Sequence, residues 1–184
     1  MPDRVLIRQC SPTLTGIKAG NLYPYRYRSR SALYREIREL NRRLAGSGVI
    51  TIPLKCGGGF ALLYTYRPGF LGKCLSDPGA RRILESLGYT DGDVQHMIAQ
   101  LVERFRDYSE FPHEVGLFLG YPPEDVKGFM TNKGGNCKYT GCWKAYGDAV
   151  TAELSFKKYT LCCKRCEDLY DNGMTVEQLT VSIA

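Results

Sequence analysis

Val49-Ile50-Thr51-Ile52-Pro53-Leu54 and Phe60-Ala61-Leu62-Leu63-Tyr64-Thr65-Tyr66 flank Lys55-Cys56-Gly57-Gly58-Gly59. Both runs are apolar and rich in β-branched and aromatic residues, and the glycines between them supply the backbone freedom of a tight reversal, so the stretch predicts a β-hairpin that Pro68 closes. A sheet with one apolar face or two needs a cover, and the sequence on either side supplies helices for it. Upstream, Ser29 or Ser31 caps a helix in which Leu33, Ile37, Leu40 and Leu44 recur at helical spacing before Gly46-Ser47-Gly48 ends it. Downstream, Asp77-Pro78 opens a short helix to Leu87, and Asp91 to Asp93 open another whose Val94, Met97, Ile98, Leu101, Val102 and Phe105 form an apolar stripe.

Working outward, Val5 to Gln9 reads as a short strand that runs into an irregular loop from Cys10 to Asn21. Val115 to Leu119 and Glu124 to Met130 read as a helix pair around the corner Gly120-Tyr121-Pro122-Pro123, followed by a strand over Cys137 to Tyr146. From Asp148 a long helix sets Ala152, Phe156, Tyr159, Cys163, Cys166 and Tyr170 on one face, Asn172-Gly173 ends it, and a short helix over Thr175 to Leu179 follows. The order β, α, β, β, several α, β, α predicts an α+β fold, a small mixed β-sheet covered by several α-helices. No repeat or compositional break divides it, so residues 1–184 are expected to form a single domain.

The 184 residues are 43% hydrophobic and 24% charged, which excludes a disordered or fibrous chain. The longest nearly uncharged apolar stretch, Phe60 to Tyr66, falls far short of the roughly 20 residues of a membrane span. The opening Met-Pro-Asp-Arg-Val-Leu-Ile-Arg lacks a cationic leader with an apolar core, so a cytoplasmic location with no membrane partner is expected. The net charge of +6 is local: residues 1–43 hold ten Lys or Arg against Asp3, Glu36 and Glu39, a net +7, leaving −1 for the rest. Such a surface suits phosphates, an acidic protein partner or an anionic cofactor, and equally a solvated helix face beside a basic loop. The eight cysteines, without a leader, read as thiols, metal ligands or redox groups rather than disulfides, and point to a reducing or anaerobic cell.

Four constellations carry chemistry. Cys10, at the head of a loop with Lys18 in reach, is a candidate nucleophile or redox thiol, or else a packed core residue. In the same loop Thr13, Gly16, Lys18 and Asn21, with Thr15 and Gly20, offer donors and close backbone approach to an anion, though the P-loop order is absent. His113 is the candidate acid–base group, or else, with Glu114, part of a helix start, while His96 reads as structural. Cys137, Cys142, Cys162, Cys163 and Cys166 supply thiolates for zinc or an iron–sulfur cluster, but Cys137 and Cys142 would face opposite sides of a strand and Cys163 and Cys166 lie on an apolar helix face. Tyr23, Tyr25, Arg26, Tyr27, Arg28 and Arg30, with Trp143 and Lys144, interleave aromatic and basic groups that suit a flat anionic cofactor such as a flavin or haem. Nucleic acid is disfavoured because no nucleic-acid-binding motif is present, and Arg35, Arg38 and Arg42 read as the wet face of their helix.

The run Phe111-Pro112-His113-Glu114-Val115-Gly116-Leu117-Phe118-Leu119-Gly120-Tyr121-Pro122-Pro123-Glu124-Asp125-Val126 resembles the central signature of an uncharacterised bacterial family, domain of unknown function 3793. Cys10-Ser11-Pro12-Thr13-Leu14-Thr15-Gly16-Ile17-Lys18 is similar to that family's opening, with Ser11 where the family has Ala, and Gly141-Cys142-Trp143-Lys144-Ala145-Tyr146-Gly147 is similar to its Trp-Lys-Val-Tyr segment, with Ala145 for Val. The resemblance implies a bacterial, anaerobic, cytoplasmic setting and carries no activity or cofactor.

The expectation is a protein that binds a small anionic or cofactor-like ligand at Cys10–Asn21, with Lys18 neutralising its charge, Thr13 and Asn21 donating hydrogen bonds, thiol or redox chemistry at Cys10 and His113 as acid–base partner. The alternative is a noncatalytic module that binds an acidic, flavodoxin-like partner or nucleic acid through its basic N-terminal surface. A zinc or iron–sulfur protein is the third reading.

Overall fold

Three strands, β1 (Gly20–Arg26), β2 (Ile50–Gly57) and β3 (Phe60–Tyr66), form the central sheet of the computed structural model, which describes residues 3–107 and 110–182. The hairpin is as expected: Gly57 pairs with Phe60 across Gly58 and Gly59, both at positive φ. β1 joins the other edge of β3, from Gly20 opposite Tyr66 to Arg26 opposite Phe60, giving the order β1-β3-β2. The fold is the expected α+β, with a sheet that is antiparallel at every described pairing where a mixed one was expected. Pro53, which cannot donate to a ladder, sits at the register shift of the edge strand β2.

The expected strand over Val5–Gln9 is instead part of a helix, α1 (Asp3–Leu14). Leu6, Ile7, Cys10 and Leu14 recur at helical spacing and are all buried, so the tertiary stripe overrides the local β preference of Val5-Leu6-Ile7. The helix consumes the first part of the expected loop, and β1 takes its end, leaving residues 15–19 as the connection.

The other helices are α2 (Arg30–Leu44), capped by Ser29, α3 (Pro68–Leu75), α4 (Pro78–Ser86), capped by Asp77, and α5 (Val94–Asp107). They are followed by α6 (Val115–Phe118), α7 (Pro123–Asn132), α8 (Ala149–Asp171) and α9 (Val176–Leu179). α3 was not expected, because Pro68 ends the hairpin and also starts a helix, a position where its missing N–H costs nothing. The expected strand over Cys137–Tyr146 is a two-rung hairpin, β4 (Tyr139–Thr140) with β5 (Lys144–Ala145).

Alternate residues of β3 feed two cores. Tyr64 and Tyr66 pack with Leu71, Leu84, Leu101 and Phe118 beneath α3 to α7, whereas Ala61 and Leu63 pack with Leu6, Leu14, Leu33 and Tyr23 beneath α1 and α2. Gly20 has no side chain because a Cβ would lie 2.6 Å from the Tyr64 ring, whose hydroxyl in turn donates to the Phe118 carbonyl at 2.5 Å. Arg67, buried after β3, donates to the carbonyls of Thr13, Leu14, Ser47 and Val181, so a guanidinium satisfies the open carbonyl end of α1 and ties the C-terminal segment to it. Among the described residues no helix is long and apolar enough to cross a membrane.

Candidate functional site

The connection after α1 spends its backbone donors on the helix it ends. Thr15 N–H donates to Ser11, Gly16 N–H to Thr13, and the N–H groups of Ile17 and Lys18 both to Pro12, with Gly16 in the left-handed region that this reversal needs. The Thr13 hydroxyl donates to Asn21 Oδ1 at 2.7 Å, so these two expected ligand donors serve each other. What the connection leaves unspent is the Lys18 side chain.

Cys10 is wholly buried, and burial pushes its thiol up to about 12, outweighing the hydrogen bonds from Thr65 and Tyr23 and the charge of Lys18. It occupies the place of a packed core residue, protonated at neutral pH, not that of an activated nucleophile.

Lys18 is 6% exposed, and among the described residues its ammonium has neither a hydrogen bond nor an ion pair. It is not sealed off, since the one fully enclosed unpartnered side-chain N or O among the described residues is the Tyr146 hydroxyl. Its neighbours are rings: Nζ lies 5.1 Å from the Tyr121 centroid and 5.9 Å from that of Tyr159. Burial lowers its pKa to about 8, against smaller opposing influences of Cys142, Cys10 and Cys163.

Tyr121 stands at the corner between α6 and α7. Gly120, at positive φ, makes that corner, and a Cβ there would approach the Ala19 Cβ at 3.1 Å, so glycine lets the segment beside Lys18 come close. The other face of the site is the β4–β5 hairpin, whose Trp143 stacks on Tyr121 (4.6 Å, 24°) and meets Phe156 of α8 edge-on (4.4 Å, 86°). Asp125, buried in the first turn of α7, fixes this hairpin. It accepts Trp143 Nε1 at 2.7 Å on one oxygen, and the N–H groups of Tyr146 and Gly147 at 2.7 and 2.8 Å on the other.

Between the α6–α7 corner and the hairpin lies a cavity of about 360 Å³ walled by His113, Tyr121, Phe129, Cys142 and Trp143. His113 is exposed, with its ring 4.9 Å from that of Phe129 and 5.6 Å from that of Phe111, so it faces the cavity but has no described contact with Cys10. Lys144 also lines the cavity and spends its ammonium on the Gly134 carbonyl at 2.5 Å. A second cavity of about 270 Å³ among α3, α4 and α5 holds no buried charge, since Arg81, Glu85, Asp91 and Asp93 on its wall are all exposed.

Arg26 and Arg28 do not join Lys18. They lie at and beyond the far end of β1, which runs about 20 Å from Gly20 to Arg26 at the usual strand rise. Both are exposed, and the Arg26 guanidinium stacks over Phe60 at 5.8 Å. Among the described residues no three His, Cys, Asp or Glu side chains are placed to hold a metal ion. The lowered thiol of the chain is Cys162, brought to about 7 chiefly by a hydrogen bond from Cys166, in a groove beside Thr15, Lys158 and Arg165. His96 hydrogen-bonds Thr90 at 2.9 Å on the surface, the structural role expected of it.

Sequence reasoning named Lys18 and His113 and missed Tyr121, Asp125 and Tyr159. The unusual density of Tyr, Pro and Asp in residues 120–125 was the one available signal.

Fold and site together define an antiparallel sheet wrapped by helices, with an aromatic cleft backed by a buried, unpaired lysine. Over residues 6–180 the chain matches the family model of a protein of unknown function (DUF3793), and it belongs to that family. No curated protein and no solved structure matches it. Two of the three stretches that carry the resemblance line this cleft, the second with His113, Tyr121 and Asp125 and the third with Cys142 and Trp143, while the first ends on Lys18, which lies against the Tyr121 ring and not on the cavity wall.

Proposed function

We propose that the protein binds a small anionic ligand with a flat, apolar body in the cleft beside Tyr121 and Trp143, drawn by the charge that Lys18 holds against the Tyr121 ring. The observation that carries this reading is the ammonium of Lys18, buried among phenol rings without a counter-charge. An ammonium that keeps only a little contact with water and has no counter-charge gains from an anion that arrives. The cavity lies near the lower end of small-molecule sites, roughly 300–1,000 Å³, which favours a one- or two-ring body over a haem. His113 stands at its wall as the group able to exchange a proton with a ligand.

Trp143 is the only tryptophan of the chain and stacks in the site, so its fluorescence reports occupancy. Titration with benzoate should change it saturably, benzamide should not, and Lys18→Met should weaken the benzoate response at least about tenfold. Equal responses to benzoate and benzamide, or a response untouched in Lys18→Met, would sink the reading.

A second reading rests on the opposite end of β1. There Arg26, Arg28 and Arg30 are exposed beside Phe60, which is 52% exposed, a surface suited to an acidic protein face.

A further inference from the structure

We propose that Cys162 is an acyl-accepting nucleophile, and that the groove around it takes a medium-chain acyl group delivered as the thioester of an anionic thiol. The site is separate from the aromatic cleft and does not depend on the ligand reading above. It is a groove of about 450 Å³ between α8, α9 and the connection after α1. Three features of its wall each select one part of the incoming molecule.

The first is hydrocarbon. Ile17, Leu161, Leu169, Met174 and Leu179 line the groove, and Leu161 is 68% exposed. Leu161 and Leu169 stand eight residues apart on α8, about 12 Å at the helical rise, which suits an extended chain rather than a single methyl group. The second feature is charge. Lys158 stands one turn before Cys162 and Arg165 nearly one turn after it, on the same helix face, and both line the groove. Glu153 is taken by Lys157 at 2.7 Å, and among the described residues Lys158 and Arg165 have no ion pair, so an anionic carrier finds two open cations beside the thiol. The third is the thiol itself. Cys162 is half-buried on the wall with its Sγ 3.2 Å from the Thr15 hydroxyl, and Cys166, one turn further on, lines the same groove. With its pKa at about 7, roughly half of Cys162 is thiolate at neutral pH. Cys10, by contrast, is sealed in the core, and Cys163 is not part of this wall.

The step is an exchange between thiols. The Cys162 thiolate adds to the carbonyl carbon of the thioester, and the tetrahedral adduct collapses by breaking the bond to the carrier sulfur. That sulfur leaves with the electron pair as a thiolate and takes up a proton from water. One thioester and one thiolate give one thioester and one thiolate, so nothing is oxidised or reduced. Because the bond formed is of the same kind as the bond broken, the balance is set by the groove: each methylene it covers draws the acyl group onto the protein.

The test incubates the full-length protein with decanoyl-coenzyme A below its micelle concentration and locates adducts by peptide mass spectrometry. One decanoyl group should appear on Cys162, ahead of any on exposed Cys142, and should be released by neutral hydroxylamine as a thioester is. It should form at least about tenfold faster than the acetyl adduct from acetyl-coenzyme A. Leu161→Glu, at an exposed position, should slow decanoyl transfer while leaving the iodoacetamide rate of Cys162 within about twofold, which separates the seat of the chain from the reactivity of the sulfur. Lys158→Glu with Arg165→Glu should slow transfer from decanoyl-coenzyme A at least about fivefold more than transfer from the uncharged decanoyl thioester of N-acetylcysteamine. Decanoyl groups spread evenly over Cys142 and Cys162, or acetyl transferred as fast as decanoyl, overturns the groove as the acyl seat. A Cys162 that iodoacetamide alkylates but decanoyl-coenzyme A does not acylate overturns the transfer.

Discussion

Lys18 lowers the stability of the fold that houses it. Its pKa falls from 10.5 when unfolded to about 8 when folded, so between those values the unfolded chain holds a proton that the folded chain has given up. Stability therefore rises with pH through that window, and below about pH 8 the full cost of the buried charge is present. Lys18→Met, of similar length and without charge, should stabilise the protein at pH 7 by about 1–3 kcal/mol. That advantage should shrink toward pH 10.5, as urea unfolding at pH 7 and pH 10 would show. A variant less stable than the parent at pH 7 would mean that the ammonium has a partner and that the site is structural. The cysteines make a second contrast at this scale. Cys10 is sealed and protonated, whereas Cys162 is half-buried at a groove, with Cys166 bonding to its sulfur. Thr15 has one hydroxyl proton to give, to the Ser11 carbonyl at 2.8 Å or to Cys162 Sγ at 3.2 Å, so the Cys166 bond is the main support of the thiolate. Iodoacetamide should leave Cys10 unmodified in the folded state and modify Cys162 with a midpoint near pH 7. Labelling of Cys10 as fast as exposed Cys142 would contradict its place in the core.

At the scale of elements, the cleft depends on a hairpin of two rungs that has little cohesion of its own. Asp125 replaces the missing ladder with three bonds from the hairpin side, two from backbone N–H groups and one from the Trp143 indole. Asp125→Ala would leave those donors without an acceptor, at a cost of about 3 kcal/mol or more. The expected signature is local: Trp143 emission moves to the red and the benzoate response disappears, while far-UV circular dichroism keeps its helical amplitude. Intact Trp143 emission in Asp125→Ala would show that stacking on Tyr121 and Phe156 suffices. Asp125 also shows where sequence reading stops. As a residue type it reads as an acid in the first turn of a helix, and only the return of the chain at residues 143–147 turns it into an anchor. Tyr121 likewise reads as punctuation at a proline corner, and Tyr159 as one more member of an apolar helix face. Helices with a cap and a regular stripe, such as α2, α4, α5 and α8, were legible because their periodicity is written locally. α1 was not, since its short Val5-Leu6-Ile7 run suits a strand until Cys10 and Leu14 find the same core. Lys18 could be named as a cation near a loop, but that the loop's amides are consumed in capping α1 follows only from the helix being there.

For the whole molecule, the question is whether the basic surface and the cleft act as one site, as the clustering of cations in residues 1–43 invites. Their geometry argues for independence. β1 separates Gly20, two residues after Lys18, from Arg26 by about 20 Å, more than two screening lengths at physiological salt, and Arg26 and Arg28 are both exposed. Exposed charges at that distance steer an encounter without setting the affinity of a buried pocket. The sheet between them is pinned at the Lys18 end by Tyr64 on Gly20 and by Arg67 across α1 and the C-terminal segment. Reversing charge with Arg26→Glu and Arg28→Glu together should therefore leave the benzoate midpoint at Trp143 within about twofold of the parent at 0.15 M salt. The same double variant should lose binding to polyglutamate, a stand-in for an acidic protein face, and the parent's binding to that polymer should weaken steeply as salt rises. A benzoate response that collapses with the double variant would instead make the arginines part of the ligand site, as their spacing in the sequence first indicated. A polyglutamate interaction indifferent to both salt and charge reversal would remove the acidic-partner reading and leave the cleft as the functional surface.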